Sequence, residues 1–421
     1  MFTFRFPYAV VSILTLLFLT GELRAAEIKK TALPLPGNAE DFQQIGISLL
    51  RNAAEIKIET ASPYQIMDHE GRSLYRGDRI VAAQVKPNSG GIQIGSQTFQ
   101  SAPLTIQSEG EGIKLGGRLY RHTLKIWREE NGKLLVVNEI DLEDYLKGVL
   151  PWEANPKWSL EALKAQAVAS RTYALFKAIE NQKERFAVSK GMLSQVYGGQ
   201  NSEDPITNRA VEATRGEILT YQGKIFPAYF HSTCGGRTTR PEYQWDVEGH
   251  PVLKGVDCSF CHTSKHYRWQ ESMGRGEIEK KLKKHGINAA GIKRMEPVDL
   301  DASGRARYFK IEWAGGKAKI RANDFRLWLN PEKLRSTLIT SVRKEGENFS
   351  FKGRGWGHGV GMCQYGMKGL AELGYSYKEI LKYYYPGAEV TTFGSGIPAP
   401  TEEKKGWWGS MVGKFQEELG F

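Results

Sequence analysis

Ser159-Leu160-Glu161-Ala162-Leu163-Lys164-Ala165-Gln166-Ala167-Val168-Ala169-Ser170-Arg171-Thr172-Tyr173-Ala174 opens the run that decides the reading of this 421-residue chain. Serine is a good helix N-cap because its side-chain oxygen takes an otherwise unpaired backbone N–H. The alanine-rich run behind it has high helix propensity. Leu160, Leu163, Ala167, Arg171, Ala174 and Ala178 recur at spacings of three and four, the period of one helix face. The pattern predicts a long helix from Ser159 to about Gln182. Arg171 lies on this apolar stripe, and a guanidinium cannot be buried bare. It must meet a carboxylate, a ligand or a set of carbonyls.

Upstream, Leu142 to Leu150 predicts a short helix ending in Pro151-Trp152-Glu153. From about Gly46 to Asn138 the text is different. Short runs such as Glu55-Ile56-Lys57-Ile58-Glu59-Thr60 and Leu124-Lys125-Ile126-Trp127 alternate with period two between Gly- and Asn-rich turns, which predicts half-buried antiparallel strands. Downstream, residues 194–260 read as strands and Gly-rich turns. Glu277 to His285 reads as a Lys-rich helix stopped by Gly286, and Tyr308 to Trp313 as a strand. Ser376 and Glu379 form a capping box for a helix that Pro386-Gly387 ends. The expected class is α+β: mixed, largely antiparallel sheets with a long Ala-rich helix, plus a β-rich N-terminal region.

Residues 1–26 carry Arg5, the apolar run Ala9 to Leu19 and a small-residue stretch at Leu23-Arg24-Ala25-Ala26, the pattern of a secretory signal peptide. The expectation is an exported protein of periplasm or cell wall with no stable membrane span after signal removal. The remaining divisions are a β-rich region at 27–117, the main domain at 118–392, and a linker with an amphipathic tail at 393–421. A net charge of +11 favours an anionic partner. Nucleic acid conflicts with export and is not expected. Four cysteines exclude a disulfide-dense scaffold.

Four constellations carry chemistry. Glu153 stands in Pro151-Trp152-Glu153-Ala154-Asn155-Pro156, where apolar neighbours disfavour its charged form and suit acid–base work. Taken alone, the segment also fits an exposed loop glutamate. Gln195-Val196-Tyr197 sets an amide beside a phenol, a pair that suits sugar hydroxyls or a structural turn. His231-Ser232-Thr233-Cys234-Gly235-Gly236 groups an imidazole, a hydroxyl and a thiol at a turn. Gly355-Trp356-Gly357-His358-Gly359-Val360-Gly361-Met362-Cys363-Gln364-Tyr365 alternates glycine with larger residues. It lacks the Gly-Lys-Ser/Thr of a phosphate loop. There the backbone can approach a ligand, with Trp356, His358, Gln364 and Tyr365 offering contacts, or it forms a ligand-free bulge. Cys258-Ser259-Phe260-Cys261-His262 matches a haem-attachment signature without other haem context. Cys234, Cys258 and Cys261, joined by one of His231, His262 or His266, have the chemistry of a zinc site. A disulfide from Cys234 to either member of the pair fits an exported protein as well.

With these segments in order, the chain resembles the SpoIID/LytB family of exported cell-wall proteins. The residues that carry the likeness are Glu143-Asp144-Tyr145-Leu146-Lys147-Gly148-Val149, Glu161 to Tyr173, Gln195-Val196-Tyr197, His231 to Gly236, Gly355 to Met362, and Ile380-Leu381-Lys382-Tyr383-Tyr384-Tyr385-Pro386-Gly387. The resemblance implies a peptidoglycan lytic transglycosylase cleaving the MurNAc–GlcNAc β-1,4 bond to a 1,6-anhydro product, with Glu153 as its single acid/base. It makes Arg171, Gln195, Tyr197, His231, Ser232, Trp356, His358, Gln364 and Tyr365 candidates for the glycan groove. The other branch of the family implies a non-catalytic enhancer of a cell-wall amidase, with glycan strands and an amidase as partners. Two departures stand out: Ala154 replaces a frequent methionine, and Ala187 to Ser194 lacks the His and Cys ligands of the family's zinc loop. That metal site does not carry over, and no cofactor is required.

Overall fold

The computed structural model describes residues 32–36, 43–189 and 196–393. The signal-peptide segment, Gln195 and the amphipathic tail lie outside the described residues. The protein combines helices with mostly antiparallel sheets, and its N-terminal region is β-rich.

Two sheets make that region. One runs, in spatial order, Val188–Ser189, Gln44–Ala53, Leu134–Asp141, Thr123–Arg128, Leu104–Ser108, Tyr64–Met67 and Ser73–Gly77. The other runs Arg118–Tyr120, Ile113–Leu115, Ile56–Thr60, Ile80–Asn88, Gly91–Ile94 and Gln97–Phe99. Period-two patterning decides their faces: Ile56 and Ile58 are buried while Lys57 is exposed. Further along, the strands Trp269–Gly274, Asn348–Gly353 and Ile339–Glu345 and the meander Ile292–Leu300, Ala306–Trp313 and Gly316–Arg321 share a separate core with the helices Arg275–Lys284 and Ala322–Leu329.

Between them stands the long helix, Leu160–Glu180, capped by Ser159 Oγ as its sequence predicts. It departs from that reading in one respect. The helix is buried nearly all round rather than along one stripe. Leu163, Ala167, Ala174 and Leu175 pack into the core of the N-terminal sheets. Ala162, Ala165, Val168 and Ala169 pack into a second core with Val360, Met362, Ile380 and Tyr384. Alanine makes this two-sided packing feasible, because neighbours can approach the helix closely on both faces. A second correction concerns residues 194–260, expected as strands and turns. Pro205–Ala213 is a helix, with Asp204 accepting from the Ile206 and Thr207 N–H groups and Pro205 in its first turn.

The helix Leu142–Glu153 packs against the long helix and continues through Pro151 to Glu153. Asp141 caps it by accepting from the Glu143 and Asp144 N–H groups. Arg171 joins the two helices. Its Nε and Nη2 donate to the two oxygens of Glu143 at 2.8 and 2.7 Å, Nη1 to Thr214 Oγ1 and the Glu217 carbonyl, and Nη2 also to the Val211 carbonyl. Glu143 takes a further bond from the Gly216 N–H at 3.1 Å. Arg171 is 1% exposed.

Removing one member of a buried ion pair strands the other and typically costs about 3–5 kcal/mol. Glu143→Ala should therefore lower the urea midpoint steeply, while Glu143→Leu with Arg171→Met should recover much of the loss. An unchanged midpoint in Glu143→Ala would refute this role.

Candidate functional site

Glu153 is the last residue of its helix, where unpaired carbonyls put the negative end of the helix dipole. Its last turn has no basic residue. The carboxyl is half-buried: Oε1 accepts the Val196 N–H at 3.2 Å, and Gln364 Nε2 lies 3.5 Å from Oε2. Gln364 Nε2 also donates to the Glu153 backbone carbonyl at 2.9 Å and to Gln166 Oε1 at 3.4 Å. Burial pushes the Glu153 carboxyl above the ordinary carboxylate range, while the Val196 N–H and the Gln364 amide pull it down. Among the described residues the donors that reach it are neutral.

Several elements converge to hold this geometry. Gln364 opens the helix Gln364–Glu372, and the neighbouring Tyr365 donates its N–H to the Ser232 carbonyl at 3.0 Å. The Tyr365 ring stands edge-on to Trp158, 5.5 Å between centroids. Trp152, next to the carboxyl in sequence, is 55% exposed. Glu153, Gln364, Tyr365 and Ser232 are thus brought together. Gln166, Trp158 and the Val196 N–H belong to the same assembly and were missed in the sequence. Gln166 had a signal: it is an amide in the middle of an alanine-rich helix.

Other expected groove residues sit elsewhere. The five donor hydrogens of Arg171 are matched by five protein acceptors, so it serves the interior rather than a ligand. Tyr197 is also interior. Its hydroxyl donates to Asn138 Oδ1 at 3.0 Å, and its ring packs on Tyr120 and Tyr145. A Cβ on Gly148 would come within 2.6 Å of that ring, so the close approach requires glycine. Tyr197 fixes the irregular segment whose Val196 N–H reaches Glu153.

His231 is buried, with Nδ1 3.1 Å from the Val360 carbonyl and Nε2 without a partner among the described residues. His358 Nδ1 accepts the Val360 N–H at 3.1 Å, and its ring lies 5.5 Å from His231. Burial pushes His231 down and His358 down to about 3, so both stay neutral at physiological pH. Trp356 packs edge-on to His266 at 4.1 Å. Protein atoms stand close against the alternating glycines. Gly357 and Gly361 have φ of +103° and +70°, and added Cβ atoms would meet His231 at 2.9 Å and the Tyr229 carbonyl at 1.9 Å. The Gly-rich segment is a close seam against residues 229–239.

The cysteines need a larger correction. The fourth member of their cluster is Cys363, not a histidine. The Sγ atoms of Cys234, Cys258, Cys261 and Cys363 all lie within 4.8 Å of one another, and all four residues are buried, so the set could hold a zinc ion. The expected histidines are engaged elsewhere: His231 at Val360, His262 at the Ser259 carbonyl, and His266 against Trp356. No cysteine is in a disulfide.

Comparison with known proteins fits this geometry. A family model described as stage II sporulation protein, SpoIID, matches residues 130–221, which include both helices and Glu153. A second, a domain of unknown function called DUF8618, matches residues 250–361. An uncharacterised protein of Brachyspira hyodysenteriae is 33% identical over 83% of this chain and 93% of its own length. The amidase enhancer of Bacillus subtilis is 31% identical over 59% of this chain, which spans 40% of that longer protein. Stage II sporulation protein D of Bacillus amyloliquefaciens is 32% identical over 61% of this chain and 75% of its own length. The helix pair that carries Glu153 falls inside the matched region, and the chain belongs to the SpoIID family.

Proposed function

We propose that this protein is a peptidoglycan lytic transglycosylase of the periplasm or cell wall, with Glu153 as its single acid/base. The observation that carries the reading is the setting of Glu153: raised by burial, at the negative end of a helix, and contacted, among the described residues, by neutral donors alone. A carboxyl so placed keeps its proton to higher pH than an exposed one. It would donate that proton to the glycosidic oxygen as the bond to C1 of MurNAc breaks through an oxocarbenium-like transition state. The resulting carboxylate, supported by the Val196 N–H and Gln364, would take the proton of the MurNAc C6 hydroxyl as that oxygen closes on C1. The nucleophile belongs to the substrate, so one carboxyl completes the cycle. The exposed Trp152 offers a face on which a sugar ring can stack.

A second reading is favoured by the likeness to a protein named for amidase enhancement: the chain binds glycan and promotes a cell-wall amidase without cutting. Both readings need the protein outside the cytoplasm, in keeping with its signal-like N-terminal segment.

Purified glycan, stem-bearing and denuded, should be digested with wild type and Glu153→Gln and read by mass spectrometry. Anhydro-MurNAc ends are expected from wild type, with a loss of about 10²–10⁴-fold in the variant. Reducing ends would instead mean hydrolysis, and retained binding without cleavage would favour the amidase-enhancer role.

The pH dependence has a definite sign. Activity requires the protonated carboxyl, so kcat/KM should fall as pH rises through the Glu153 pKa. Gln364→Leu removes a donor to the carboxylate and should move that limb to higher pH, whereas a merely destabilised protein would lose rate without moving it.

Stability gives an independent check. A carboxyl whose folded pKa is raised favours folding most below its unfolded pKa and loses that contribution as pH rises through the folded value. Glu153→Gln should therefore melt higher than wild type at neutral and alkaline pH, with the gap closing in acid. A gap that widens in acid would contradict the assignment.

A further inference from the structure

Three separate segments deliver the four thiols: Cys234 from the turn after Phe230–His231, Cys258 and Cys261 from one Cys-x-x-Cys loop, and Cys363 from the end of the Gly-rich seam. Cys234 Sγ and Cys261 Sγ are 3.4 Å apart, and no pair exceeds 4.8 Å. A tetrahedral Zn2+ with bonds of about 2.3 Å needs sulfurs about 3.8 Å apart, inside that range.

The surroundings of the sulfurs are those of anions. Cys363 Sγ accepts from the Cys234 N–H at 3.2 Å and the Gly366 N–H at 3.4 Å. Cys234 Sγ accepts from the Gly236 N–H at 3.4 Å, and the Tyr384 hydroxyl lies 3.2 Å from Cys258 Sγ. Hydrogen bonds of this kind orient and stabilise metal-bound thiolates. A Cβ on Gly366 would stand 2.6 Å from Cys258 Sγ, so the approach of that helix to the cluster depends on glycine.

Charge supplies an independent argument. Arg305 is wholly buried beside the cluster. Its Nη2 donates to the carbonyl of Cys234 at 2.5 Å, and its Nη1 to the Arg237 carbonyl and Ser303 Oγ. Among the described residues it makes no salt bridge, Asp301 accepting its backbone N–H instead. Carbonyls take its donors and the Asp301 carboxylate lies near it, and a further negative charge close by would favour an interior guanidinium. Four thiolates on Zn2+ carry a net charge of −2 and would add to that of Asp301, whereas neutral thiols or disulfides would not.

We propose that Cys234, Cys258, Cys261 and Cys363 bind one Zn2+ as a tetrathiolate that ties these segments together and fixes the turn carrying Gln364. Cys363 precedes Gln364 directly, and its Sγ caps the helix that Gln364 opens. The metal positions the residue that contacts Glu153 and takes no part in the reaction. That consequence rests on the proposed function; the metal site itself does not.

The test uses the full chain purified without chelator. One zinc per chain is expected by elemental mass spectrometry, with four thiols shielded from a thiol reagent until a mercurial displaces the metal. Cobalt exchanged into the site should give the charge-transfer and visible bands of tetrahedral thiolate coordination. Cys261→Ser should lose the zinc, and Glu153→Gln should keep it. Metal-free protein with four reactive thiols, two disulfides by non-reduced mass measurement, or iron in place of zinc would overturn the proposal. Zinc-loaded protein that leaves glycan intact would refute the proposed function alone.

Discussion

The buried pair of Arg171 and Glu143 is the constraint on which the rest of the site depends. It joins the middle of the central helix to the first turn of the helix that ends in Glu153. Ten residues of helix rise about 15 Å, so fixing Glu143 fixes where the carboxyl at the far end can stand. The pair is anchored again by the Val211 and Glu217 carbonyls and the Gly216 N–H. The chain beyond the Pro205–Ala213 helix is thereby held to the same point. Isolated surface charges could not do this, because exposed pairs are screened and weak.

Around that frame, most residues that look reactive are structural. The imidazoles of His231 and His358 bond the backbone of the Gly-rich seam. Its glycines admit neighbouring protein at distances no side chain permits. Glycine gives up conformational entropy on folding, and a run of alternating glycines is costly unless close contact repays it. Here the contacts are with residues 229–239 and Arg305, and they bring Cys363 to the other thiols and Gln364 to Glu153.

What the sequence disclosed and what it withheld follow from locality. The Ser159 cap, the capping box of Ser376 and Glu379, and the alternating strands before Asn138 are decided within a few residues, and each was legible. The signal for the helix Pro205–Ala213 is equally local, since Asp204-Pro205 is a cap followed by a first-turn proline, but it stands among Gly-rich turns that read as loop. Long-range facts were harder to read. An apolar stripe cannot tell one buried face from two, and nothing near Cys258 shows that its fourth companion is Cys363 rather than a histidine. Arg171 announced a buried partner but not which one. Tyr197 looked like a sugar contact because a phenol bonding Asn138 and one bonding a hydroxyl of a glycan have the same local text.

The choice of partner for Arg171 bears on the chemistry. Glu143 and Glu153 occupy opposite ends of one helix, and the fold treats them oppositely. Glu143 lies in the first turn, where the dipole favours a negative charge, and faces a guanidinium. Glu153 lies at the last position, where the dipole disfavours one, and among the described residues meets only amide donors. Had Arg171 reached Glu153, the cation would have held that carboxyl in its charged form and opposed proton donation. Dividing two environments between two carboxylates is a general way to obtain one structural anion and one titrating acid. In this protein a single helix and a single arginine give the two carboxyls these different surroundings.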